Sequence, residues 1–127
     1  RGAIDAILEI ENRPVRVIVT HLGLKGKERL CQARLLARKV QEDKSSLLVL
    51  LGDINEWYPQ SRSLRYLERY LGKSSTRPTF PARWPIFQLD RIWVHPENAL
   101  LRVWTHRTPL SRMASDHLPL RASIALP

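Results

Sequence analysis

Near the C-terminal end of this chain stands Ser115-Asp116-His117-Leu118-Pro119-Leu120, and three other short segments precede it. They are Thr20-His21-Leu22-Gly23-Leu24, Gly52-Asp53-Ile54-Asn55 and Leu89-Asp90-Arg91-Ile92. Each alone is a weak signal. Together they place His21, His117, Asp53, Asp90, Asp116 and Asn55 at the ends of strand-like runs, a set suited to cutting a phosphate ester with the help of a divalent metal ion.

The chemistry follows from residue type. His117, next to Asp116, can act as a general base near neutral pH. Asp90 can accept the other ring N–H, which fixes the tautomer and raises basicity. Asp53 can hold a metal or polarise water, and Asn55 and His21 can donate to a phosphate oxygen. Each also has a plainer account. Gly-Asp-Ile-Asn closes a strand with an Asx turn, and either histidine can be a hydrogen-bonded strand-end residue. His95, beside Pro96, and His106, among Arg and Thr, read as surface residues. Cys31 reads as a small packing residue on a helix.

Elements must bring these residues together. Residues 3–11 and 14–20 read as strands joined by a turn at Asn12-Arg13-Pro14. Residues 27–43 read as a helix with Leu30, Ala33, Leu36, Ala37 and Val40 on one face. The apolar run 47–51 suits a central strand buried on both faces. Ser61 caps a second helix, with Leu64, Leu67 and Leu71 inward and Gly72 at its end. Residues 72–88, with Pro78, Pro81 and Pro85, form a long irregular loop of the kind that usually has a function. Strands follow at 91–94, 100–105 and 119–126. Of the four tryptophans, Trp57, Trp93 and Trp104 read as packing residues. Trp84 reads as part of a substrate rim with Arg77 and Arg83.

At 127 residues the chain is long enough for one domain. Its net charge of +9, from 21 Lys+Arg against 12 Asp+Glu, favours polyanionic partners such as nucleic acid, inositol phosphates or anionic lipid. Arginine outnumbers lysine, and Arg grips phosphate through paired donors. One cysteine excludes an internal disulfide and fits a reducing, cytoplasmic setting. No apolar run approaches a membrane span.

Taken in order, Thr-His-Leu, Gly-Asp-x-Asn, Leu-Asp-Arg-Ile and Ser-Asp-His resemble the endonuclease/exonuclease/phosphatase family, the DNase-I-like superfamily. The wording around Thr79-Phe80-Pro81-Ala82-Arg83-Trp84-Pro85 is similar to its bacterial members of uncertain substrate. The resemblance implies an α/β (α+β) fold within a four-layer α/β/β/α sandwich and Mg²⁺- or Mn²⁺-dependent hydrolysis of phosphodiesters or phosphomonoesters. It implies that His117 activates the attacking water and Asp90 orients it, although the base role is alternatively given to Asp53. It further implies that Asp53 and Asn55 position nucleophile and phosphate, that His21 binds a phosphate oxygen, and that Asp116 sits at the metal, which acts as a Lewis acid. Trp84 and Arg83 complete the expected substrate-binding set.

Members of that family are roughly twice this length, and the metal-binding Glu of their first half has no counterpart here; Gln41-Glu42 only mimics it at the end of a basic helix. The chain is therefore expected to be the C-terminal portion of one such domain, with an incomplete metal site. It is expected to form one mainly antiparallel or mixed sheet with helices on one face. The opposite face would be apolar and exposed, which suggests a homodimer. The competing readings are a non-catalytic phosphate-binding module and a basic nucleic-acid-binding module. Nothing in the sequence chooses among nucleic acid, inositol phosphate and phospholipid headgroup as substrate.

Overall fold

A computed structural model describes residues 1–42 and 45–126. The elements run β1 (Gly2–Ile10), β2 (Arg13–His21), α1 (Gly26–Gln41), β3 (Leu48–Asp53), α2 (Arg62–Leu71), β4 (Asp90–His95), a single 3₁₀ turn (Glu97–Ala99), β5 (Leu100–Thr105), α3 (Pro109–Ala114) and β6 (Leu120–Ile124). Residue 43, the expected end of the first helix, lies outside the described residues.

The main sheet has the order β1-β2-β3-β4. β2 and β3 are parallel; the other two pairings are antiparallel. The β1–β2 hairpin turns on Glu11 and Asn12, both at positive φ, rather than on Asn12-Arg13-Pro14 as the sequence suggested. Positive φ at both central residues gives the tight two-residue turn that matches strand twist. Pro14 then falls inside β2. It is tolerated there because pairing with β3 begins only at Arg16, whose N–H donates to Leu47 O at 3.0 Å.

Alternation along the strands gives the sheet two apolar faces. On one, Ile18, Leu48, Leu50 and Trp93 meet Ala33 and Leu36 of α1 and Leu64 and Leu67 of α2. Both helices thus lie on a single face, as expected. The Ser61 hydroxyl caps α2 by accepting the Leu64 N–H at 3.2 Å. Cys31 is the exception to the predicted helix packing. The phase that buries Ala33, Leu36 and Ala37 turns Cys31 out to solvent as a free thiol.

The other face is not left wholly open. β5 and β6 form a separate two-stranded antiparallel sheet. Leu100, Leu120, Ala122 and Ile124 of that hairpin pack around Val15, Val49, Ile92 and Val94. Among the described residues, the apolar surface of this face that stays uncovered lies on the β1 side, where Ile4, Leu8, Ile10 and Val19 are exposed. The expectation of a whole bare face is corrected accordingly: the last hairpin has an apolar side of its own and buries it there. α3 also escapes the sequence reading. Thr108 and Ser111 form a reciprocal capping box around Pro109, at 3.0 and 2.9 Å. Among the described residues no helix is long and apolar enough to cross a membrane.

Candidate functional site

Register builds the site. His21, the last residue of β2, pairs with Asp53, the last of β3, and Asp53 pairs with Asp90, the first of β4. Three titratable side chains from distant segments thus stand in one row along a sheet edge. Parallel β2 and β3 bring their C-terminal ends there, and antiparallel β4 starts there. Gly52 makes the close approach possible. Its φ is +145°, and a Cβ would lie 1.8 Å from Thr20 O, so no other residue fits.

The Ser115–His117 segment closes over this row. It is held against the 79–82 segment, with Leu118 N–H donating to Thr79 O at 2.9 Å and Ala82 N–H donating to Asp116 O at 2.7 Å. His117 Nδ1 then lies 2.8 Å from Asp90 Oδ2. The buried Thr79 hydroxyl donates to the same oxygen. The ring of Phe80 packs on the imidazole at a centroid distance of 4.9 Å. With Nδ1 tied to Asp90, Nε2 is the nitrogen that faces the cleft, 3.9 Å from Asp53 Oδ2. His21 Nε2 approaches that same Asp53 oxygen at 3.3 Å and contacts the Arg1 guanidinium.

Asp53 Oδ1 accepts the Asn55 backbone N–H at 2.8 Å. Asn55, at positive φ, sends its side-chain amide to Leu22 O at 2.9 Å. One of its two amide hydrogens is therefore committed to lashing the loop after β2 to the loop after β3. The helices hold these loops from beneath. Gln32 accepts the Gly23 N–H at 2.8 Å, and Arg29 donates to Leu24 O at 2.5 Å. Arg29 also pairs with buried Glu56 at 2.8 Å, and Glu56 accepts from Ser63 of α2. Such an internal ion pair costs desolvation, so its role here is geometric: it fixes both loops to both helices.

Burial lowers the His117 basicity, but the Asp90 hydrogen bond and the charges of Asp90, Asp53 and Asp116 outweigh it, and the net pKa lies above the ordinary 6.5. Asp53 is also raised: burial and the nearby Asp90 charge prevail over the Asn55 N–H and the two imidazoles. A carboxylate with a raised pKa, 3.3 and 3.9 Å from two imidazoles, sits in a cleft of about 490 Å³. Perturbed groups in a cleft are the pattern of an acid–base site.

The cleft is lined by His21, Asp53, Asn55, Asp90, Asp116 and His117, so six of the eight residues expected from sequence come together. Trp84 and Arg83 do not. They line a neighbouring groove with Arg107, Pro109, Arg112 and Met113. Arg77 lies elsewhere again, beside Arg102 and Trp104. The aromatic walls of the cleft are instead Trp57 and Phe80, stacked edge-to-face at 5.6 Å. Trp57 passed as a packing residue because nothing in its local sequence distinguishes it. Thr79 was visible only as the first letter of Thr79-Phe80-Pro81, with no role attached. Among the described residues, no three His, Cys, Asp or Glu side chains are grouped to hold a metal ion. Asp116, read as a metal ligand, lines the cleft, and its carboxylate accepts from Ser115 Oγ at 3.4 Å.

Residues 3–117 match the profile of the Endonuclease/Exonuclease/phosphatase family. The chain is 34% identical over 128 aligned residues to the uncharacterized protein YbhP of Escherichia coli K12, covering 90% of this chain and 47% of that protein. Its fold superposes on a functionally unknown conserved protein from Enterococcus faecalis V583 with a TM-score of 0.77, at 19% identity, covering 97% of this chain and 55% of the other. It is similar too to beta toxin from Staphylococcus aureus, in a structure with bound magnesium ions, with a TM-score of 0.65, at 17% identity, covering 97% and 57%. The chain spans about half the length of the relatives it matches.

Proposed function

The chain belongs to the endonuclease/exonuclease/phosphatase family, and we propose that its protein hydrolyses phosphodiesters or phosphomonoesters at the row of His21, Asp53 and Asp90 beneath His117. The observation that carries this reading is the 2.8 Å contact of His117 Nδ1 with Asp90, which leaves Nε2 directed into the cleft. His117 Nε2 takes a proton from water; the water oxygen bonds to phosphorus as the ester P–O bond breaks. The proton then passes to the leaving oxygen or to solvent. Asp90, itself oriented by Thr79, holds the imidazole and stabilises its charged form. His21 and the free amide hydrogen of Asn55 meet phosphoryl oxygens. Asp53, between the two imidazoles, is the alternative base.

Dependence on Mg²⁺ or Mn²⁺ is part of the proposal, by analogy with the magnesium-bound beta toxin, and Asp116 is its candidate ligand. The described residues do not assemble a full ligand set, and none of the steps assigned above runs through the ion. That same fact favours a second reading, a non-catalytic phosphate- or nucleic-acid-binding module.

Hydrolysis of bis(p-nitrophenyl) phosphate and p-nitrophenyl phosphate by the intact protein, with Mg²⁺ or Mn²⁺, separates the two. Catalysis predicts turnover that falls on the order of a thousandfold in His117→Ala. Binding of phosphate esters without turnover, or turnover indifferent to His117→Ala, would sink the catalytic reading.

A further inference from the structure

Beside the cleft, the 79–87 segment and α3 enclose the groove that took Trp84 and Arg83. Phe80 and Phe87 pair as a bridge, and between them Trp84 N–H donates to Pro81 O at 3.1 Å, so the tip carrying Arg83-Trp84-Pro85 is a closed turn. Arg107, Pro109, Arg112 and Met113 form the opposite wall, and the groove measures about 560 Å³. None of the three guanidiniums has a hydrogen-bond or ion-pair partner among the described residues. Neither segment, 83–87 or 106–114, contains a carboxylate.

The apolar side chains are as unusual as the charges. Trp84 is 80% exposed, Met113 83%, and Leu110, one helical turn from Met113, 73%. Ile86, at the same tip as Trp84, is exposed too. Large apolar groups clustered in water mark an interaction surface. A nucleic-acid strand would use the indole for stacking and the guanidiniums for phosphates, but it leaves Leu110, Met113 and Ile86 without a purpose. An indole and a methionine lining one groove with three arginines have a better match. Indoles favour the membrane–water interface, arginines extend their charged ends to phosphates while their stems lie on apolar groups, and anionic lipid attracts both.

The geometry points to a docking surface for an anionic lipid bilayer, formed by Trp84, Leu110 and Met113 as the inserting groups and Arg83, Arg107 and Arg112 as the headgroup contacts. α3 leads straight into Ser115-Asp116-His117, and the Ala82–Asp116 hydrogen bond joins the tip to the cleft wall. A bilayer seated here lies against the segments that carry Asp116 and His117. The inference stands on this surface alone and does not need the proposed hydrolysis.

Flotation of the intact protein with phosphatidylcholine vesicles, with and without about one third phosphatidylglycerol, tests it. Binding is expected only to the anionic vesicles, weakening as salt rises and bringing a blue shift of tryptophan emission that Trp84→Phe reduces. Arg83→Ala, Arg107→Ala and Arg112→Ala combined should weaken binding roughly a hundredfold. Leu110→Ser with Met113→Ser should weaken it about tenfold or more. His117→Ala should bind like the parent protein, which separates docking from catalysis. Circular dichroism confirms that each variant is folded. No flotation with anionic vesicles, or flotation unchanged in both combined variants, overturns the proposal. So does Trp84-dependent binding of a single-stranded oligonucleotide without vesicle binding, which would assign the groove to nucleic acid.

Discussion

The cleft and the groove lie side by side yet are built on opposite terms. In the cleft the side chains hold one another: Asp90 is bonded to His117 and Thr79, Asp53 to the Asn55 N–H and His21, and Asn55 to Leu22. In the groove three arginines have no partner among the described residues, and the apolar walls stand in water. The cleft gathers carboxylates in a chain of net charge +9, while the groove gathers cations. An interlocked arrangement holds a proton-transfer geometry at no cost of reordering when the reaction occurs. An open one suits a partner that supplies the missing contacts and has no fixed shape.

That contrast can be broken most sharply at Asp90. Asp90→Asn is expected to reduce hydrolysis on the order of a hundredfold or more, because an amide can hold the wrong imidazole tautomer. It should also move the pH profile. His117 works as a base only when neutral, so the rate rises with pH through its pKa, which lies above 6.5 in the parent protein. Removing Asp90 takes away both the hydrogen bond and the charge that raise it most, and the acidic limb should shift to lower pH. A limb that stays in place would mean that His117 is not the titrating base.

A smaller effect is expected one bond further out. Thr79→Val keeps the shape of a fully buried side chain but leaves the Asp90 carboxylate short of one donor. Hydrolysis should fall about tenfold, and urea unfolding should show a loss of about 2 kcal/mol. Unchanged kinetics with the stability loss would make Thr79 purely structural. The smallest effect belongs to the groove. Arg107→Ala and Arg112→Ala each should leave unfolding free energy within about 0.5 kcal/mol, since nothing in the fold rests on them. A larger loss would show that these side chains hold the groove together, as the cleft residues hold one another.

The sequence was a good guide wherever the relevant physics was local. Strands β2 and β3 announce themselves by alternation and by a continuous apolar run, α2 by its Ser61 cap, and the six cleft residues by short motifs at strand ends. It was a poor guide wherever the answer depended on what lies across space. Trp84 looked like the aromatic of the site because it precedes Asp90, but the turn at Pro81–Trp84 carries it away and leaves Phe80 behind. Cys31 is polar enough and small enough for either side of α1, and only the phase set by Ala33 and Leu36 decides. The α3 capping box had its Thr-Pro signal in plain sight; six residues are too few for the periodicity that usually draws attention. The β5–β6 hairpin reads correctly as strands, but no local pattern says which sheet a strand joins.

The alignment of His21, Asp53 and Asp90 across three strand tips has a further bearing on how the chain can change in length. An extra residue in the turn at Glu11–Asn12 is absorbed at the far end of β1 and β2 from the tips. The same residue inserted within β3 would rotate Asp53 to the opposite side of the sheet and slide Gly52 away from the one place where Thr20 O leaves room for it. A length change is thus tolerable at the Glu11–Asn12 turn and ruinous in β3, so the length of the first hairpin can drift while the strand leading into Asp53 cannot.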